Sequence, residues 1–133
     1  YFMCELSAHL EHAELPPYAP PPPPPEEIPP PIEITFGCAP ISVKVGATIT
    51  FTWTIPAITD VTPVRVELYW QAPLTSPPGT LLYTGTTFPA DYTGSKTYTA
   101  IAPAGTWYGW LYYYFTWKGN AYIAGAFTMF TVS

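Results

Sequence analysis

From Ile41 to Ile55 every second residue is apolar: Ile41, Val43, Val45, Ala47, Ile49, Phe51, Trp53 and Ile55 share one parity, while Ser42, Lys44, Thr48, Thr50, Thr52 and Thr54 take the other. Successive side chains on a strand point to opposite faces, so this period of two predicts half-buried antiparallel strands and excludes an amphipathic helix. Gly46 interrupts the run and predicts a bend or a switch between sheets.

The pattern recurs on both sides. Ile34 and Phe36 alternate with Glu33 and Thr35 in an expected edge strand that begins at Ile32. Val64, Val66, Leu68 and Trp70 alternate with Arg65, Glu67 and Tyr69; Pro77-Pro78-Gly79 makes a turn before a strand over Thr80–Thr84, and another covers Lys96–Ile101. A long aromatic strand over Thr106–Trp117 turns at Lys118-Gly119-Asn120 and pairs with a last one over Ala121–Val132. Seven or eight short strands in about 100 residues predict an all-β sandwich over residues 32–133.

Residues 1–31 read differently. Eleven prolines lie between Pro16 and Pro31, including an unbroken run from Pro20 to Pro25, and fixed φ with missing N–H groups makes this a polyproline II spacer. Ahead of it, Cys4–Leu15 carries Leu6, Leu10 and Ala13 at helical spacing. That is a short helix or coil too small to stand alone in water, and Leu6, Leu10 and Leu15 are the candidate anchors of the arm on a partner surface.

The formal charge of -5 is unevenly spread. Glu5, Glu11, Glu14, Glu26, Glu27 and Glu33 all precede Phe36, with no Lys or Arg among them; beyond it, Asp60, Glu67 and Asp91 face Lys44, Arg65, Lys96 and Lys118, three acids against four bases. Four scattered basic residues cannot form a phosphate-binding footprint, which excludes nucleic acid. No apolar run reaches the length of a membrane-spanning helix. The start at Tyr1 fits a mature exported product, so the expected location is extracellular, at a cell or virion surface.

Ile41-Ser-Val-Lys-Val-Gly-Ala-Thr-Ile-Thr-Phe-Thr-Trp resembles the opening strands of prokaryotic immunoglobulin-like or fibronectin-like domains, and Pro103-Ala-Gly-Thr-Trp-Tyr-Gly-Trp-Leu resembles their penultimate strand. The resemblance spans Ile34 to Val132 and implies an immunoglobulin-like sandwich. Such domains recur in adhesins, pilus and filament subunits, virion decoration proteins and modules attached to glycosidases, so the implication is fold and not role. The inter-sheet cysteine pair of antibody domains is lacking, and Trp107 stands where a corner tyrosine would.

Catalytic chemistry finds few candidates. The carboxylates beyond the arm are Asp60 and Asp91 in loop contexts and Glu67, expected in a cross-strand ion pair with Arg65, and both histidines belong to the arm. His9 and His12 with Glu5 make a loose metal spacing without supporting ligands, so no metal and no cofactor are expected. Cys4 and Cys38 fit an interchain disulfide or two thiols.

The aromatic strand is the unusual feature. Trp107, Leu111, Tyr113, Phe115 and Trp117 share one parity and Tyr108, Trp110, Tyr112 and Tyr114 the other. One face belongs to the core, whereas a solvated outer face should be polar, so a covering is expected over Tyr108, Trp110, Tyr112 and Tyr114: the arm, a neighbouring subunit, or a ligand such as sugar rings. The expected function is a non-catalytic structural subunit of an extracellular assembly, a homo-oligomer or polymer formed through the arm and this face. The alternative is a carbohydrate-binding or adhesive module on a proline-rich linker.

Overall fold

The computed structural model describes residues 27–133. The helix expected over Cys4–Leu15, the anchors Leu6, Leu10 and Leu15, Cys4, and the proline-rich stretch up to Glu26 lie outside the described residues.

Eight strands form two sheets. They are β1 (Thr35–Ala39), β2 (Ser42–Val43), β3 (Thr48–Thr54), β4 (Val61–Gln71), β5 (Thr80–Gly85), β6 (Thr93–Thr99), β7 (Gly105–Trp117) and β8 (Asn120–Val132). One sheet runs β1-β3-β6 and the other β2-β8-β7-β4-β5, all antiparallel except the short β2–β8 pair. The sandwich is all-β; among the described residues the only helical element is a single 3-10 turn, Ala90–Tyr92.

The alternating run from Ile41 divides as Gly46 foretold. β2 joins one sheet and β3 the other, and Gly46 makes the crossing at φ +93, a conformation that only glycine adopts freely. Val43, Ile49, Phe51, Trp53 and Ile55 are buried. Ile41, Val45 and Ala47, expected with them, are exposed because the chain is then passing from sheet to sheet.

Three further expectations are corrected. The first strand begins at Thr35, with Ile32 and Ile34 packed on the core ahead of it. The sixth covers Thr93–Thr99, leaving Ile101 exposed beyond its end. Val64, expected inside, is 41% exposed: β4 carries a bulge there, with Pro63 opposite Phe115 and Arg65 opposite Tyr114, so one extra residue reverses the parity. Pro63 cannot donate to a ladder and favours such a break.

β7 and β8 meet through a two-residue turn, with Trp117 paired to Asn120. Lys118 and Gly119 sit at φ +50 and +80, the type I′ geometry whose twist matches the strands. Between the sheets, Trp53, Trp70, Trp107, Tyr113, Phe115 and Phe130 form an aromatic core, with Leu111 buried among them. Trp107 Nε1 donates to the Pro103 carbonyl at 2.9 Å, tying the start of β7 to the loop before it.

The chain entering the sandwich is held at the hairpin end. Lys118 Nζ lies 3.1 Å from Glu27 Oε2, and residues 28–34 lead from there into β1. At that same pole lie the ends of β3 and β7 and the start of β4, since Thr35 pairs with Thr54 and Val61 with Trp117.

Candidate functional site: the outer aromatic face

Alternation along β7 sends Trp107, Leu111, Tyr113 and Phe115 inward to full burial and leaves Tyr108, Trp110, Tyr112 and Tyr114 half-buried on the outside of the five-stranded sheet. Register then dictates their neighbours. Tyr114 lies between Arg65 and Ile123, Tyr112 between Glu67 and Gly125, Trp110 between Tyr69 and Phe127, and Tyr108 between Gln71 and Met129. The four residues are thus the central rank of a surface three strands wide.

The rings contact one another. Trp110 and Tyr112 are 6.4 Å apart and nearly parallel at 6°, Trp110 and Phe127 are 5.3 Å apart, and Tyr69 meets Tyr112 edge to face at 5.7 Å. Trp110 Nε1 donates to the side-chain oxygen of Gln71 at 2.8 Å, which satisfies a buried amide.

The charged residues on this face cancel. Arg65 Nε lies 2.9 Å from Glu67 Oε2, a pair within one strand and not the cross-strand pair expected, because residues two apart on β4 share the same outer face. Arg65 also stacks 3.8 Å from the centre of the Tyr114 ring, and Tyr69 donates to Glu67 Oε1 at 2.8 Å. Burial raises the Glu67 pKa, but hydrogen bonds from Tyr69, Arg65 and Tyr114 outweigh it and hold the carboxyl below the ordinary glutamate value. Tyr69 is pushed up to about 12, by burial first and then by its bond to Glu67.

Reading the strand alone found the central rank and missed its flank. Ile123, Phe127 and Met129 are 60%, 56% and 52% exposed on β8. Counting back from the two-residue turn would have placed them opposite Tyr114, Trp110 and Tyr108. The far end of the face dips into a shallow, open depression of about 500 Å³, lined by Ile41, Thr106, Tyr108, Met129, Phe130 and Thr131.

Other sequence candidates lie elsewhere. Asp91 accepts from the Tyr83 hydroxyl at 2.7 Å and the Thr87 N–H at 2.9 Å, which anchors the 3-10 turn. Cys38 is half-buried between β1 and β8, its sulfur 3.7 Å from Thr128 Oγ1, and burial pushes its thiol pKa up. No group of three His, Cys, Asp or Glu among the described residues could hold a metal ion, and no helix among them is long and apolar enough to cross a membrane. His9, His12 and Glu5 lie outside the described residues.

Fold and face together define a two-sheet β-sandwich with an aromatic outer surface. No protein-family model matches the chain, and no curated protein matches it. Among solved structures, the chain is similar to the soluble domain of PmoD from Methylocystis sp. ATCC 49242 (Rockwell), at 18% identity and a TM-score of 0.43, over 77% of this chain and 90% of that one. Nothing about that protein's role passes to this chain at such distance.

Proposed function

We propose that the chain is a non-catalytic structural subunit of an extracellular assembly, and that its copies associate through the outer face of the five-stranded sheet. The single observation behind it is the composition of that face. Aromatic rings, exposed Ile123, Phe127 and Met129, and an Arg65–Glu67 pair that is internally neutral make the profile of an interface centre, where Tyr, Trp, Met and Arg gather and unpaired charge is scarce. Glu67 and Asp91 are already engaged by Arg65, Tyr69, Tyr83 and Thr87, which supports a role without catalysis.

An immunoglobulin-like assignment is part of the proposal. Its support is the strand order, three strands 1-3-6 facing five strands 2-8-7-4-5, and the Trp107 bond to Pro103 four residues upstream, which stands in for the hydroxyl of a corner tyrosine. Extracellular placement remains a proposal drawn from the same reading.

The test is Ile123→Ser with Phe127→Ser in the full chain, followed by sedimentation. Burying each side chain is worth about 1.5–3 kcal/mol, so association should weaken more than about tenfold while the thermal midpoint barely moves. Unchanged association would overturn the proposal. The nearly parallel Trp110 and Tyr112 rings favour a second reading, a platform for sugar rings. Selective, saturable binding on a glycan array, without self-association, would establish it in place of the first.

A further inference from the structure

The two poles of the sandwich differ in a way that gives the proposed assembly a direction. At one pole Glu27 pairs with Lys118 in the β7–β8 turn, so the arm leaves the domain there. The shallow depression is at the other pole. Tyr108 on its wall stands ten residues up β7 from Lys118, about 33 Å at the rise of a strand. Ile41, 69% exposed, and Met129 supply its apolar lining, and the exposed Lys44 follows β2 at the same pole, where Val43 pairs with Val132.

We infer that this depression receives the N-terminal segment of a second copy, with Leu6 and Leu10 as its apolar anchors, so that subunits join head to tail. The inference rests on the assembly reading above and adds its polarity. Three observations select this occupant. The leucines of the arm match the Ile41 and Met129 lining, and the arm's five glutamates and no bases complement the exposed Lys44 at the receiving pole of a body whose four acids and four bases otherwise balance. Twenty-six residues precede Glu27, and the prolines among them are the composition of a spacer stiff over several residues; a stiff spacer that starts at the opposite pole favours a neighbour's depression over its own. A heterologous contact between opposite poles repeats without closing, and the product is a thread.

The experiment uses two full-length variants, one with Leu6→Glu and Leu10→Glu in the arm, the other with Ile41→Glu and Met129→Glu in the depression, where the new acids also repel the arm. Wild type should form long polymers in sedimentation and electron microscopy, and each variant alone should form none. Mixed in equal amounts they should form pairs and stop, since one pair of partners still has an intact arm and an intact depression. The inference is overturned if the depression variant polymerises like wild type, or if the mixture, with both proteins folded by circular dichroism, forms no pairs. If the depression variant polymerises while Ile123→Ser with Phe127→Ser does not, association through the face stands and head-to-tail docking falls. A wild type that stays monomeric with its arm protected from protease points to docking within one chain, and overturns both.

Discussion

On the outside of the three-stranded sheet, Thr48, Thr50, Thr52 and Thr54 of β3 lie beside Thr99, Thr97, Ser95 and Thr93 of β6, with Thr35, Gly37 and Ala39 of β1 beyond. On the outside of the five-stranded sheet the equivalent positions hold Tyr108, Trp110, Tyr112 and Tyr114 between Tyr69, Phe127 and Met129. Both faces obey the same alternation over the same core. The hydroxyl face is what water tolerates on a solvated strand, for Thr pairs well across strands and its oxygen stays hydrated. The aromatic face leaves large apolar area in water, and such area marks contact with something else.

The contrast can be broken most forcefully inside β7. Leu111→Ala should cost about 2–5 kcal/mol in urea unfolding, because it opens a cavity in a closed core; Tyr112→Ala, one residue on, should cost well under half of that. Equal losses would make the outer rank a second core in its own right. A smaller effect of opposite sign belongs to Tyr113. Its hydroxyl is buried and makes no hydrogen bond of good geometry, and burial first, then the nearby Tyr92 hydroxyl, raise its pKa well above the ordinary tyrosine value. Tyr113→Phe should therefore stabilise the domain by about 1 kcal/mol, and a destabilised variant would show that the hydroxyl is satisfied after all.

On the hydroxyl face, Thr50→Val with Thr97→Val removes a 2.8 Å bond between the two side chains. Stability should fall by no more than about 1 kcal/mol and association should not change. Weakened association would make that face an interface too and dissolve the contrast. The smallest effects come from pH. The lowered pKa of Glu67 means that its contribution is present above the unfolded glutamate value and is lost as pH falls through the folded one. The raised pKa of Tyr69 contributes below the ordinary tyrosine value of 10.0 and is lost as pH climbs from there to about 12. Thermal midpoints in Glu67→Gln and Tyr69→Phe should flatten at the acid and alkaline ends respectively; unaltered profiles would remove the network from the stability of the face.

Much of the sandwich was legible because its causes are local. Phe51 and Trp53 against Thr52 and Thr54, the glycine at 46 and the Lys118-Gly119 turn each act within a few residues, and each appears where the pattern placed it. The parity of β7 was equally plain. Val64 was not, because a bulge depends on how β4 and β7 pair and not on either strand alone. The outward Phe127 and Met129 needed the hairpin register, and the Glu27–Lys118 contact that marks the exit pole joins residues 91 apart. Polarity of the domain is a tertiary property, and no window along the chain contains it.

The placement of the tryptophans makes the protein its own optical reporter. Trp53, Trp70 and Trp107 are sealed in the core, whereas Trp110 and Trp117 are only half-buried, one amid the outer rank and the other at the hairpin pole. A collisional quencher such as iodide should therefore extinguish a fraction of the emission that belongs to these two residues. Contact over the face should shield Trp110 from the quencher and leave Trp117 accessible, so Trp110→Phe and Trp117→Phe separate the two contributions by colour and quenching without any attached dye.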